Sequence, residues 1–564
     1  MATYEEALAA VTGPGQIFEI TDPPGPSQSP RRYANAPATM KTFFDQLRGD
    51  DRVFIVYEGE EWSYNRVKDE IDALGATLVQ RYGIGVGDRV GIAMRNLPEW
   101  IVAFGAILSV GAVSVSLNAW WTQDELDYAI ADCDPRLVLV DGQRVERIAP
   151  SAQRTGIPVI VARADGAELP AGMEHWHDVV VAGAELPEVD FDGSNDATIL
   201  YTSGTTGQPK GAVSTHDALS QAVIAFAADS SIYDLVRGPR ASSGLTPCFI
   251  LVVPLFHVTG CVPVMMSCVA WHFRLVIMYR WDPEQALELI QRHQVTRFVG
   301  VPTQVWDLME SPRFGDFDTS SLSLVGGGGA PAPPALVARV GRSFARGLPS
   351  LGYGMTETNA YGPGNVGAEY ESHPTSTGRA RGPVMDASIH EPGGAEVEVG
   401  ERGEIWLRGP TLIRGYWNRP DDTAAALHEG WLRTGDVGRI DADGFLYIED
   451  RAKDLILRGG ENVYSAEVEA ALYSLSTVYE AAVFALPNER LGEEVACVVR
   501  LRRGMSLTAE ELRAQLAEHL ANYKIPTRVA FTTDPLPRNP AGKLIKRSMP
   551  GLYFSEASDR AARA

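Results

Sequence analysis

The ten residues Thr202-Ser-Gly-Thr-Thr-Gly-Gln-Pro-Lys-Gly211 follow directly on an apolar run, 197–201, that reads as a strand. No other feature restricts the fold as much. Glycines let a backbone turn tightly and bring its N–H groups up to an anion. Thr202, Ser203, Thr205 and Thr206 add hydroxyl donors, and Lys210 adds a charge. The order predicts a phosphate-holding loop at the end of a strand. It departs from the GxxxxGK[ST] pattern: counting from Gly204, Pro209 stands where the second glycine belongs.

Around this loop the chain alternates between strand-like and helix-like runs. Ser63 caps a helix whose apolar face is Val67, Ile71, Leu74 and Leu78. A short strand is expected over 89–94, an apolar helix from about Glu99, and a strand over 112–117. Strands joined by helices imply a parallel or mixed sheet covered on both faces. Residues 13–37 carry six prolines and no apolar period, so residues 1–40 read as an extended N-terminal arm.

The C-terminal hundred residues predict a smaller α+β unit. Val468, Ala471, Leu472 and Leu475 share a helical face behind Ser465, and a capping box, Thr508 with Glu511, starts a second helix. Between them lie β-like runs at 480–486 and 495–501. The expected fold class is α/β: a large N-terminal domain of mixed sheets sandwiched by helices, 41–452, and a small mobile α+β domain, 453–564. The boundary falls in the charged stretch 448–454.

Length and charge narrow the function classes. With 564 residues, 45% of them hydrophobic, the chain supports more than one folded unit and a large core. A net charge of −22 repels nucleic acid and anionic lipid. Five scattered cysteines without a CxxC argue against a disulfide framework or zinc site and fit a reducing cytosol. The acidic N-terminus does not read as a secretory signal. Residues 241–273 hold no Asp, Glu, Lys or Arg, but Pro247, Pro254, Gly260 and Pro263 interrupt them. A buried strand-and-loop region is expected there rather than a membrane span.

Further motifs follow the phosphate loop in order: Gly327-Gly-Gly-Ala-Pro331, Tyr353-Gly-Met-Thr-Glu-Thr358, Gly403-Glu-Ile-Trp-Leu-Arg-Gly409 and Gly415-Tyr-Trp-Asn-Arg-Pro420. Then come Trp431-Leu-Arg-Thr-Gly-Asp436, Arg451-Ala-Lys-Asp-Leu-Ile456 and Pro537-Arg-Asn-Pro-Ala-Gly-Lys-Leu-Ile-Lys-Arg547. In this series the chain resembles the acyl-adenylate-forming superfamily, in its acyl-CoA synthetase branch, from about residue 40 to 550. The resemblance implies an enzyme that joins a carboxylate to the α-phosphate of ATP, releases pyrophosphate, and then makes a thioester with AMP as the second product.

The same resemblance implies roles for individual residues. Thr202, Ser203, Gly204, Thr205, Thr206, Gly207 and Lys210 hold the β- and γ-phosphates. Glu357, beside Thr356 and with Thr202, holds Mg²⁺, a hard cation that takes carboxylate oxygen. Gly328, Gly329 and Ala330 form the adenine-side loop, Tyr353 stacks on the ring with Gly354 and Met355 following, Asp436 accepts from the ribose hydroxyls, and Arg451 lies on the ribose–phosphate side. Lys543 bridges the carboxylate and the α-phosphate. Lys453 is the hinge about which the small domain swings, bringing Gly459 and Gly460 to the coenzyme A arm.

His257, in Pro-Leu-Phe-His-Val-Thr-Gly, matches the residue beside the acyl carboxylate, with Thr303, Gly327 and Asn359 as further pocket lining. Phe256-His257 stands where amino-acid-activating relatives commonly carry Phe-Asp, which favours an acid without an α-amino group. The expected substrate is an apolar fatty, aryl or arylalkanoic acid. Free coenzyme A is the expected acceptor, because about twenty residues follow Lys543 and none of them suggests a carrier domain. Partners are small molecules, with no nucleic acid and no stable membrane insertion, and a homodimer is admitted. The alternatives are an acyl-AMP ligase loading a separate carrier protein and a non-catalytic nucleotide-binding protein on the same fold.

Overall fold

The computed structural model describes residues 2–21, 30–164, 166–202, 209–237, 244–329, 332–451, 454–459, 461–539 and 542–554. Its larger part is built on two eight-stranded sheets. In the first, the strand order is Gly415–Tyr416, Lys210–Thr215, Asp196–Thr202, Val113–Ser116, Arg89–Ala93, Leu137–Asp141, Val159–Ala162 and Met173–His175. Its middle strands run parallel, as strands joined by helices must. Lys210–Thr215 returns antiparallel beside Asp196–Thr202, placing the phosphate-loop motif at their connection.

The second sheet runs Gly364–Val366, Leu348–Gly352, Leu324–Gly328, Arg297–Gly300, Cys248–Leu251, Arg274–Ile277, Val53–Tyr57 and Glu60–Ser63. Helices fill the space around both. Every residue of the helix Pro98–Ser109 is buried, with Trp100 and Phe104 at zero exposure. A helix apolar all round must lie inside. The neighbouring helix Tyr64–Gln80 starts where Ser63 accepts from the Arg66 N–H at 3.1 Å, and it buries Val67, Ile71, Leu74 and Leu78.

Two sequence expectations are corrected here. The N-terminal segment is not an extended arm: Tyr4–Thr12 is a helix with a Thr3/Glu6 capping box, and Ile20–Thr21 pairs with Arg32–Tyr33. Ala7 and Val11, one turn apart, bury against the long helix His216–Arg237, which the prolines further along had obscured. In the charge-free stretch, Cys248–Leu251 is a central strand, but Gly260–Met266 is a π-helix that runs into the α-helix Ser267–Trp271. The wider turn tolerates Pro263, which has no N–H to donate. Among the described residues no helix is long and apolar enough to cross a membrane. All five cysteines are buried and free.

A six-stranded sheet carrying Trp431–Ile440 and Phe445–Arg451 leads into the smaller C-terminal part. That part has its own apolar core, with the helix Ser465–Ser474 laid on the hairpin of Val478–Asn488 and Gly492–Leu501. The Thr508/Glu511 box opens the helix Ala509–Leu516. The fold is thus mixed α/β with a large N-terminal and a smaller C-terminal domain. Tyr479 of the smaller domain donates its hydroxyl to Asp307 at 2.6 Å, and Arg502 pairs with Glu310, both on the helix Pro302–Glu310.

Candidate active site

The strands Trp431–Ile440 and Phe445–Arg451 pair in a register that sets Asp436 opposite Arg451. Asp436 is buried, with Arg451 Nε 3.3 Å from its Oδ1. Its other oxygen accepts the Tyr353 hydroxyl at 2.7 Å. Tyr353 begins a loop that folds closely on itself: its N–H donates to Pro363 O, and a Cβ on Gly354 would meet Ala360 O at 2.2 Å. The motif glycine is therefore required by packing. Burial, with Asp436 beside it, holds the Tyr353 phenol well above its ordinary range.

Glu357 sits in the 3₁₀ turn Thr356–Thr358 that closes this loop. Its Oε1 accepts the Tyr416 hydroxyl at 2.8 Å, and its backbone carbonyl accepts the Ile413 N–H at 3.0 Å. Burial raises its carboxyl above the usual glutamate range despite that bond. A carboxylate raised by its surroundings, here held by a single tyrosine hydroxyl at Oε1, fits the oxygen-donor set of a hard divalent cation. Thr202, at the end of Asp196–Thr202, is half-buried. Lys210 pairs with Asp422 and lies 5.3 Å from the centre of the Tyr416 ring.

Lys543 is presented by a tight loop. Asn539 Oδ1 accepts the Lys543 N–H at 2.9 Å, and Asn539 N–H donates back to Lys543 O at 2.8 Å. Gly542 takes a left-handed φ of 82°, which a side chain would strain. Burial first, then the nearby Arg451 guanidinium, lowers the Lys543 ammonium to about 8, against the opposing pull of Asp436 and Asp454. Lys546 anchors the loop's far side, with Nζ 2.8 Å from Glu469 and 2.7 Å from Ser465 Oγ.

The His257 imidazole is lowered to about 4, by burial and then by the charge of Lys543. The Thr259 N–H donates to Nδ1 at 3.3 Å, so the hydrogen of the neutral ring belongs on Nε2. The preceding Phe256 meets Trp120 edge-on at 6.0 Å, which ties the Asn118–Trp121 segment to this wall. Thr303 is half-buried in the first turn of Pro302–Glu310. Gly328 ends the strand Leu324–Gly328 and Gly329 follows it; at Gly327 a Cβ would meet Gly300 O at 1.8 Å. Asn359 is fully buried, and both ends of its side chain are used, by Ser214 Oγ and Thr411 O, each at 2.9 Å.

Gly459 turns at φ 62° in the hairpin Ile456–Arg458 to Glu461–Val463, its N–H on Leu491 O at 2.8 Å. Ser203, Gly204, Thr205, Thr206, Gly207, Ala330, Lys453 and Gly460 lie outside the described residues. Tyr416 and Asn539 stood inside quoted motifs but carried no assigned role. A tyrosine beside a motif carboxylate and an Asn four residues before a motif lysine were the signals available.

Residues 44–417 match the AMP-binding enzyme family, and residues 467–543 match the AMP-binding enzyme C-terminal domain. The chain is 34% identical to a feruloyl-CoA synthase of Amycolatopsis over 467 residues, 82% of this chain and 88% of the relative. It is 30% identical to a long-chain-fatty-acid–CoA ligase of Bacillus subtilis over 532 residues, 89% of this chain and 92% of the relative. The solved structure of ATP-bound MatB from Rhodopseudomonas palustris superposes with a TM-score of 0.79 at 30% identity, covering 92% of this chain and 99% of that one. The chain belongs to the AMP-binding enzyme family, in its acid–thiol ligase branch.

Proposed function

We propose that this protein activates an apolar fatty, aryl or arylalkanoic acid with ATP as the acyl-adenylate, and passes the acyl group to coenzyme A. The observation that carries the reading is the placement of Lys543. It comes from the C-terminal part, yet it acts on His257 and is acted on by Asp436 and Arg451 of the N-terminal part. Two anions, carboxylate and α-phosphate, must approach each other in the first half-reaction, so positioning and fixed positive charge are what the protein supplies.

In this reading Lys543 bridges the two anions, and neutral His257 flanks the carboxylate without adding charge. Asp436, held by Tyr353 and Arg451, accepts from the ribose. Gly328, Gly329 and Ala330 receive the adenine, and residues 202–207 with Lys210 cradle the outer phosphates. Lys210 then exchanges Asp422 for phosphate oxygen. Glu357 and Thr202 would hold Mg²⁺, which when bound neutralises phosphate charge. The division between domains falls after Arg451, with Lys453 as the hinge and Gly459 and Gly460 on the coenzyme A path.

The test is pyrophosphate release with ATP, Mg²⁺ and a panel of carboxylic acids, with and without coenzyme A, on wild type and Lys543→Ala. Acid-dependent release that turns over continuously with coenzyme A and collapses in the variant is the expected result. Release that stalls and ignores coenzyme A would replace this reading with carrier loading.

A further inference from the structure

The strand Val478–Asn488 of the smaller domain carries a β-bulge near its start. Val478 lies opposite Leu501 and Glu480 opposite Arg500, so Tyr479 is an extra residue without a partner in the ladder. A bulge re-aims a side chain. Tyr479 donates its hydroxyl to Asp307 Oδ1 at 2.6 Å, on the helix Pro302–Glu310 of the larger domain. Asp307 is itself held, because its Oδ2 accepts the Trp281 indole N–H at 2.9 Å.

Glu480, the next residue, is buried beneath the Lys543 loop at 4% exposure. Its Oε1 pairs with Arg538, and its Oε2 accepts the Leu536 N–H at 3.2 Å. The other terminal nitrogen of Arg538 donates to the carbonyl of Gly542, the residue before Lys543. A planar fork that bonds a buried carboxylate with one nitrogen and a backbone carbonyl with the other fixes the two relative to each other. Arg500 joins the neighbouring positions: its guanidinium lies 5.0 Å from the centre of the Tyr479 ring, and its Nη1 lies 3.8 Å from Glu480 Oε2. Gly542 rests on Val301, which directly precedes the helix that carries Asp307. The contacts therefore close on themselves, from Asp307 through Tyr479, Glu480, Arg538, Gly542 and Val301 back along one helix. A buried ion pair adds little net stability, since its desolvation cost offsets its attraction. Linked into a closed circuit, it supplies a single geometry.

We propose that Tyr479, Asp307, Glu480 and Arg538 are positioning residues for adenylate formation, acting as one circuit across the two domains that sets where Lys543 stands. The inference rests on the ligase reading above, in which Lys543 serves the first half-reaction. A misplacement of about 1 Å at a reacting centre costs up to about a hundredfold in rate, so residues that touch no reactant can carry a large effect.

The test is made on the full chain with Tyr479→Phe, which removes one hydroxyl, with Arg538→Lys, which keeps a charge beside Glu480 but loses the fork, and with both together. ATP–pyrophosphate exchange is measured with dodecanoate and cinnamate. Thioester formation is measured separately, from ready-made dodecanoyl- and cinnamoyl-adenylate. Each single variant should lose about tenfold or more in kcat of ATP–pyrophosphate exchange, with KM little changed and thioester formation as in wild type. The double variant should lose no more than the worse single one, as members of one unit do. The amides of Asn539, Gly542 and Lys543 bond within the loop, and their hydrogen exchange should quicken by about threefold or more in both single variants. Full activity in Tyr479→Phe overturns the proposal, as do losses that multiply in the double variant or an equal loss in thioester formation, with melting temperature confirming that the variants fold. If neither acid supports ATP–pyrophosphate exchange in wild type, the ligase reading fails, and amide protection alone decides the circuit. Quickened exchange at these amides in Tyr479→Phe upholds it, and unchanged protection overturns it.

Discussion

Gly542 rests against Val301: a Cβ placed on it would stand 3.0 Å from Val301 Cγ2. This contact seats the Lys543 loop on the residue that precedes the Pro302–Glu310 helix, and so brings a C-terminal lysine to an N-terminal cleft. The position of Lys543 relative to Asp436 and His257 depends on that seating.

Lys543→Ala should lower acid-dependent ATP–pyrophosphate exchange by about a hundredfold or more, the usual cost of removing one preorganised charge from such a site. Its melting temperature should stay near that of wild type, because the loop is anchored by Asn539 and Lys546 rather than by the ammonium.

The pH profile follows from the same residue. In the proposed role Lys543 works as the ammonium, and with that group lowered to about 8, exchange should be full below that value and fall as pH rises through it. His257, neutral above about 4, adds no limb near neutrality. Lys543→Arg keeps its charge and should lose the alkaline fall, at a lower maximum. An alkaline limb persisting near pH 8 in that variant would assign it to another group.

Tyr353→Phe removes a charge-assisted bond to a buried carboxylate, worth about 1.5–3 kcal/mol. Asp436 is then held by Arg451 alone, and KM for ATP should rise about tenfold with a smaller change in kcat. Steady-state kinetics with ATP varied at saturating acid checks this.

Tyr416→Phe should raise the Mg²⁺ concentration needed for half-maximal exchange by a few-fold, because the Glu357 carboxylate loses the donor that orients it. Chelation should stop exchange in both proteins, and titrating Mg²⁺ back gives the comparison.

Gly327→Ala tests the glycine run. With φ at 154° and Gly300 O in the place of a Cβ, the substitution should cost about 2–4 kcal/mol. Gly352→Ala, at the end of the neighbouring strand, meets nothing within 4 Å and should change denaturant midpoints little. Equal losses at both positions would contradict the close-approach account.

Order in the chain made much of this legible. Ser63, Thr508 and the apolar periods foretold helices that are present, and the polar motifs foretold that Tyr353, Asp436, Arg451 and Lys543 belong together. Partners set by sheet register were not legible. Tyr416 reaches Glu357 from 59 residues away because Gly415–Tyr416 pairs with the strand Lys210–Thr215. The first helix was hidden by the prolines that follow it, and the π-helix by a run of apolar residues that carries no clear period.

The helix Pro302–Glu310 carries Thr303 in its first turn and, through Asp307 and Glu310, the anchors for Tyr479 and Arg502 in its later turns. In the proposed reading this one rod would be a wall of the acid's chamber as well as the mooring of the smaller domain. An acid that binds more tightly when the rod is moored must strengthen the mooring by the same factor. In that reading, chamber filling and domain placement would be two readings of a single equilibrium.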